Sequence, residues 1–148
     1  MRTAFLASLI LAAMTSAASA SPAIQFRPVV DCAANPGTPH LDIYAPQAHC
    51  LAPAVITEAD FDRLERLRLG NGTFLRGLLK SEARLRYFEF TLRHRFRPMA
   101  LLVDDRPTRV WIVGEPAQAV WLRITGGYLS DREAEEVADR YYAAGGRP

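Results

Sequence analysis

Apolar residues recur at helical spacing near the end of the chain, where Ala134, Val137, Ala138, Tyr141 and Tyr142 fall at i, i+3, i+4, i+7 and i+8. Ser130 three residues before Glu133 forms a capping-box pattern, which satisfies two amide donors at the helix start. Gly145 closes the pattern as a C-terminal cap, and Asp131 and Glu133 at one end with Arg140 at the other suit the helix dipole. Two more helices are predicted upstream. Thr57, with Asp60 three residues later, opens one from Glu58 to Leu69, with Ile56 stapled on Phe61 and Phe61, Leu64 and Leu67 turned inward. Gly70-Asn71-Gly72 stops it. Ser81 opens the other, from Glu82 to Arg95, with Leu85, Phe88, Leu92 and Phe96 recurring near helical spacing as its apolar stripe and arginines over much of the remainder.

Between these lie extended segments. Thr73 to Lys80 reads as a strand with Gly77 inside it, marking a bulge or a close approach. Met99 to Val103 and Arg109 to Val113 form an antiparallel hairpin across the turn Asp104-Asp105-Arg106-Pro107. Val120 to Thr125 is a further strand ending at Gly126-Gly127. The class is therefore α+β, a small and mostly antiparallel sheet of about four strands packed with about three helices over residues 54–148. Residues 21–53 carry Pro22, Pro28, Pro36, Pro39, Pro46 and Pro53, which interrupt helices and sheet ladders, so they read as an arm. Ile24 to Val30 and Leu41 to Tyr44 are its extended pieces.

The first twenty residues change the chemical setting of the rest. Arg2 precedes the apolar run Ala4 to Met14, and Ala18-Ser19-Ala20 offers small residues for cleavage, the pattern of a secretory signal peptide over residues 1–20. No later stretch is long and apolar enough to span a bilayer. Export to the periplasm or beyond makes Cys32 and Cys50, the only two cysteines, a disulfide that closes the arm. His40, Asp42 and His49 lie close by, but neither C-x-x-C nor H-x-x-x-H spacing occurs, so no metal and no cofactor is expected. Without Arg2 the chain holds seventeen basic and sixteen acidic side chains, a near balance that argues against a nucleic-acid partner.

From Leu78 onward the order of motifs resembles the head part of the first periplasmic domain of SecD, an accessory protein of the export translocon. That module has a strand ending in D-G, then a second strand, then an I-x-G-x-F step before a helix rich in E-E-A. The counterparts are Met99-Ala100-Leu101-Leu102-Val103-Asp104-Asp105 and Ile124-Thr125-Gly126-Gly127-Tyr128-Leu129-Ser130-Asp131-Arg132-Glu133-Ala134. Phe90-Thr91-Leu92 before Arg97-Pro98 fits the preceding helix. Asp105 stands where the family has glycine, and Val110-Trp111-Ile112 replaces its small-residue stretch. The resemblance implies a module that touches exported polypeptides or another envelope protein, and it carries over no catalytic residue. Proton-driven translocation needs a path across the membrane, so a motor is not expected of this chain.

The residues themselves hold little reactive chemistry. Ser81 and His94 could be paired, but Ser81 suits a helix start and no G-x-S-x-G elbow exists. Asp104 and Asp105 suit a turn, and Glu133, Glu135 and Glu136 suit a helix N-terminus. Ten basic residues lie between Arg63 and Arg97 against Glu65, Glu82 and Glu89. From them Arg84, Arg86, Arg93, Arg95 and Arg97, together with Trp111, form the candidate binding face. A solvated helix face paired with the acidic last helix explains the same arginines. Three functions stay open at this point: a non-enzymatic binder of envelope protein or peptide, a small periplasmic enzyme or ligand-binding protein, and a structural envelope protein. Intact mass and N-terminal sequencing of the exported protein are expected to give Ser21 as the first residue, with Cys32 joined to Cys50. A retained leader would contradict the reading of residues 1–20.

Overall fold

Alternation in Ile24-Gln25-Phe26-Arg27 sends two apolar side chains to one side of a strand and two polar ones to the other, and that strand is the centre of the larger of two sheets. A computed structural model of the protein describes residues 22–34, 40–41, 49–70, 72–118 and 120–148. The leader at residues 1–20 and all of the Leu41 to Tyr44 piece beyond Leu41 lie outside them. In chain order the elements are β1 (Ile24–Asp31), β2 (His40–Leu41), β3 (His49–Leu51), β4 (Ile56–Thr57), a 3-10 turn (Glu58–Asp60), β5 (Phe61–Leu69) and β6 (Gly72–Leu79). They continue with α1 (Ser81–Arg93), β7 (Pro98–Val103), β8 (Arg106–Ile112), β9 (Trp121–Arg123) and α2 (Asp131–Ala143). The architecture is α+β with antiparallel strands, as the hydrophobic pattern predicts, but in two sheets rather than one and with two α-helices rather than three.

The larger sheet has the order β2-β3-β1-β7-β8, with β4 also beside β1. β1 is antiparallel to β7 from Ile24↔Val103 to Pro28↔Met99, and to β3 and β4 on its other edge. Its polar side is satisfied locally: Gln25 Nε2 donates to Asp105 Oδ1 at 2.8 Å and Arg27 Nε to the Ala52 carbonyl at 2.7 Å. Cys32 just beyond β1 is bonded to Cys50 on β3, across a sequence separation of 18. Closing a loop of that size stabilises by about 3 kcal/mol in the chain-entropy account.

The smaller sheet has the order β5-β6-β9 and corrects the helix expected from Glu58 to Leu69. Thr57 and Asp60 do form the expected capping contacts, Asp60 Oδ2 accepting from the Thr57 amide at 2.8 Å, but they cap only one 3-10 turn. The chain then extends, because Phe61–Leu69 can pair along its length with Gly72–Leu79 across a two-residue connection in which Gly70 has φ +59°. Two smaller corrections are of the same kind. The hairpin turn is only Asp104-Asp105, with φ +50° and +60°, so Arg106 and Pro107 already belong to β8, and the last strand shortens to Trp121–Arg123.

One continuous core joins both sheets and both helices: Ile24, Phe26, Leu64, Leu75, Met99, Leu101, Ile124 and Val137 belong to it. Its close approach is set by Gly77, the strand glycine, where a Cβ would lie 2.5 Å from the Phe61 ring. The last helix is built as its sequence predicts. Glu133 Oε2 accepts from the Ser130 amide at 2.8 Å, Ser130 Oγ accepts from the Glu133 amide, and Gly145 follows the helix at φ +90°. Arg66 on β5 anchors α2 through Glu135 and Asp139, each at 2.7 Å, and Arg106 pairs with Glu133.

Gly77→Ala is expected to cost about 1–3 kcal/mol in chemical denaturation, and Phe61→Leu in the same chain to recover part of it by vacating the ring's place. An unchanged midpoint for the single variant would contradict the contact. Glu133 is held below the usual carboxylate range first by the Ser130 hydroxyl and amide and then by Arg106, and Glu135 first by the Thr73 hydroxyl and then by Arg66 and Arg68. Depressed folded-state values mean that this stabilisation is complete above the unfolded glutamate pKa of about 4.3 and is lost as pH falls through the folded ones. Denaturation midpoints should therefore fall on acidification below that point. Thr73→Val should flatten part of this fall, and a midpoint independent of pH there would refute the assignment.

Candidate binding face on helix α1

α1 seats itself with Ala83, Tyr87 and Thr91, one residue per turn at spacing four. Ala83 permits close approach, and burial raises the Tyr87 phenol pKa against the opposing pull of Arg109. Thr91 Oγ1 donates to the Phe88 carbonyl at 3.0 Å and accepts from the Ala117 amide at 2.9 Å, tying the 115–118 segment to the helix. This choice of side reverses the expected one. Leu85, Leu92 and Phe96 are 61%, 52% and 72% exposed and Phe88 is half-buried, so the apolar stripe faces outward. Two of the seating residues carry hydroxyls, which is why hydrophobicity alone points to the wrong face. Beside the stripe, Arg84, Leu85, Phe88 and Gln118 line a shallow groove of about 370 Å³.

The arginines distribute around that stripe. Arg84 Nε donates to the Leu79 carbonyl at 2.9 Å, Arg93 meets Glu89 at 3.7 Å, and Arg95 meets Glu115 at 3.1 Å while lying over the Phe96 ring. Arg97 is exposed and meets no carboxylate among the described residues. Arg86 leans the other way, to the Val55 carbonyl at 3.0 Å and Asp60 at 2.5 Å. None of these five pairs with α2; the arginines that do are Arg66, Arg68 and Arg106. Trp111 is not gathered with them. Its ring stands edge-on to Phe26 at 6.0 Å against the core, under the Arg109 guanidinium at 4.7 Å. Burial and neighbouring Arg123 lower the Arg109 pKa.

A second surface escaped the sequence reading. β5, β6 and β9 expose a sheet side where Arg63 and Arg76 lie over Trp121 at 5.2 and 4.3 Å, and Arg123 lies over Phe74 at 5.3 Å. Glu65 pairs with both Arg63 and Arg76. The alternation Phe74, Arg76, Leu78 was its available signal, hidden by reading the preceding residues as a helix.

The pairs nominated from the sequence do not converge, although Asp31, His49, His94 and Arg97 line one cleft of about 740 Å³. Ser81 and His94 sit at opposite ends of α1, about 20 Å apart by helical rise. Asp104 is held by Arg140 and Asp105 by Gln25, in a turn rather than a paired-acid site. Among the described residues no three His, Cys, Asp or Glu side chains are placed to share a metal ion. A cleft of about 660 Å³ near Tyr141 contains charges, but Arg140–Asp104, Arg147–Asp62 and the Lys80 contact to the Ala59 carbonyl already occupy them.

No family model and no curated protein sequence matches the chain. Solved structures do. SecDF in its super-membrane-facing form aligns over 78% of this chain at 19% identity with a TM-score of 0.56. A second, described as a membrane component SecDF that enhances protein export, aligns over 80% at 18% identity with a TM-score of 0.58. The fold is SecDF-like. This chain spans 18% of the first structure's length and 61% of the second's, and the likeness at this identity is one of fold. No helix of the described residues is long and apolar enough to cross a membrane.

Proposed function

We propose that this protein is an exported, non-enzymatic SecDF-like module that binds polypeptide in the cell envelope, in the service of protein export, through the outward face of α1. The observation that carries the reading is the exposure of Leu85 and Leu92 on one side of the helix, with half-buried Phe88 between them. A solvent-facing apolar stripe on a seated helix has no role in the chain's own core, and contiguous patches of this sort serve recognition. Arg84, Arg93, Arg95 and Arg97 border it with guanidinium forks suited to carboxylates. The polypeptide that fits has apolar residues interspersed with Asp or Glu. Fold likeness to an export component supports the setting, and the leader read at residues 1–20 supports export.

Anisotropy titrations of labelled, unfolded envelope-protein peptides against the exported protein test it. Leu85→Ser with Leu92→Ser is expected to weaken binding at least about tenfold, each exposed leucine contributing on the order of 1 kcal/mol, with thermal stability unchanged. Leu69→Ser, an exposed leucine on β5, serves as the control and should leave binding intact. Equal binding by all variants would sink the proposal.

A further inference from the structure

Alongside the apolar stripe runs a charged row on the same helix. Glu82, Arg86, Glu89 and Arg93 are all exposed and follow each other at spacings of four, three and four, like the stripe residues Leu85, Phe88 and Leu92 beside them. The signs alternate minus, plus, minus, plus. Turned end for end, the row reads plus, minus, plus, minus, so it is its own complement only when two copies lie antiparallel. We infer that α1 pairs antiparallel with α1 of a second copy of this chain, forming a two-fold dimer that covers the stripe.

In that arrangement Glu82 faces Arg93 of the second copy, Arg86 faces Glu89, and Leu85 drops between Phe88 and Leu92. A parallel arrangement would set like charges side by side. Two-fold pairing requires a patch that is self-complementary, and an unrelated partner does not. The row is also available. Glu82 has no ion-pair partner among the described residues, and Arg93 holds Glu89 only through an exposed contact at 3.7 Å. Arg86 gives Nε to the Val55 carbonyl and Nη2 to Asp60 while staying exposed, which leaves Nη1 to meet Glu89 of the second copy. One helix face from each copy falls below the roughly 800 Å² per partner of a standard interface. The dimer is therefore weak, and it forms where the protein is concentrated. It goes beyond the polypeptide-binding reading and does not need it; where both hold, the second copy and the polypeptide compete for one stripe.

Charge reversal decides the matter, because residues 82 and 93 are eleven positions apart and do not touch within one chain, lying about 16 Å apart along the axis. Sedimentation of the exported protein over a concentration series at low salt is expected to show monomer passing to dimer. Glu82→Arg and Arg93→Glu should each weaken the dimer about three- to tenfold, and Leu92→Asp should abolish it. Glu82→Arg combined with Arg93→Glu in the same chain should restore it. Circular dichroism and melting of each variant confirm that the fold is kept. A chain that stays monomeric throughout, a dimer indifferent to the single reversals, or a double reversal that fails to restore a folded protein's association overturns the inference. A monomer that still binds peptide at the stripe refutes self-pairing alone, whereas a dimer whose dissociated subunits bind no peptide refutes polypeptide binding alone.

Discussion

Antiparallel pairing of β1 on both edges is the constraint on which the rest of the molecule depends. β7 occupies one edge, β3 and β4 the other, and the strand places Ile24 and Phe26 at the bottom of the shared core. An eight-residue strand from the first part of the chain thereby fixes where β7 and β8 lie, although both follow more than seventy residues later. The Cys32–Cys50 bond reinforces the same junction by linking the end of β1 to the middle of β3. Loop closure of this kind acts chiefly on the unfolded chain.

Against that base the two helices are fastened by different means. α2 is amphipathic in the ordinary way, with Ala134, Val137 and Ala138 buried and its acidic side tied to arginines of β5 and β8. α1 is seated by a small residue, a phenol and a threonine hydroxyl, and it turns its leucines outward. A helix can do so because its seat is decided by fit and by hydrogen bonding. Thr91 joins the helix to Ala117, a contact that no apolar side chain could make. The consequence is a stripe of leucines left in solvent.

Arginine does several jobs here, and the difference lies in what each fork meets. Arg66 bridges two carboxylates of α2, Arg27 and Arg84 donate to backbone carbonyls, and Arg63, Arg76 and Arg123 cover aromatic rings on an exposed sheet side. A planar, always charged group is suited to each of these contacts. A count of arginines along the chain therefore says little about a binding face until their partners are known. Arg86, whose fork meets Asp60, and Arg97, whose fork meets no carboxylate among the described residues, look alike in sequence.

The amino-acid sequence by itself determined the parts that local chemistry governs. These are the capping box and glycine stop of α2, the apolar run of β7, the α+β class, and the cysteine pair suited to an oxidising compartment. Tertiary structure alone decided what local signals leave degenerate. Phe61, Leu64 and Leu67 satisfy a helical spacing, yet Phe61–Leu69 becomes a strand because β6 offers it a partner along its length. Leu85, Phe88 and Leu92 satisfy an inward stripe, yet the two leucines face solvent and Phe88 is only half-buried, because Ala83, Tyr87 and Thr91 make the better seat. Periodicity reports that one face differs from another, but which face is buried depends on the shape and hydrogen-bonding groups of distant segments that the helix itself does not contain.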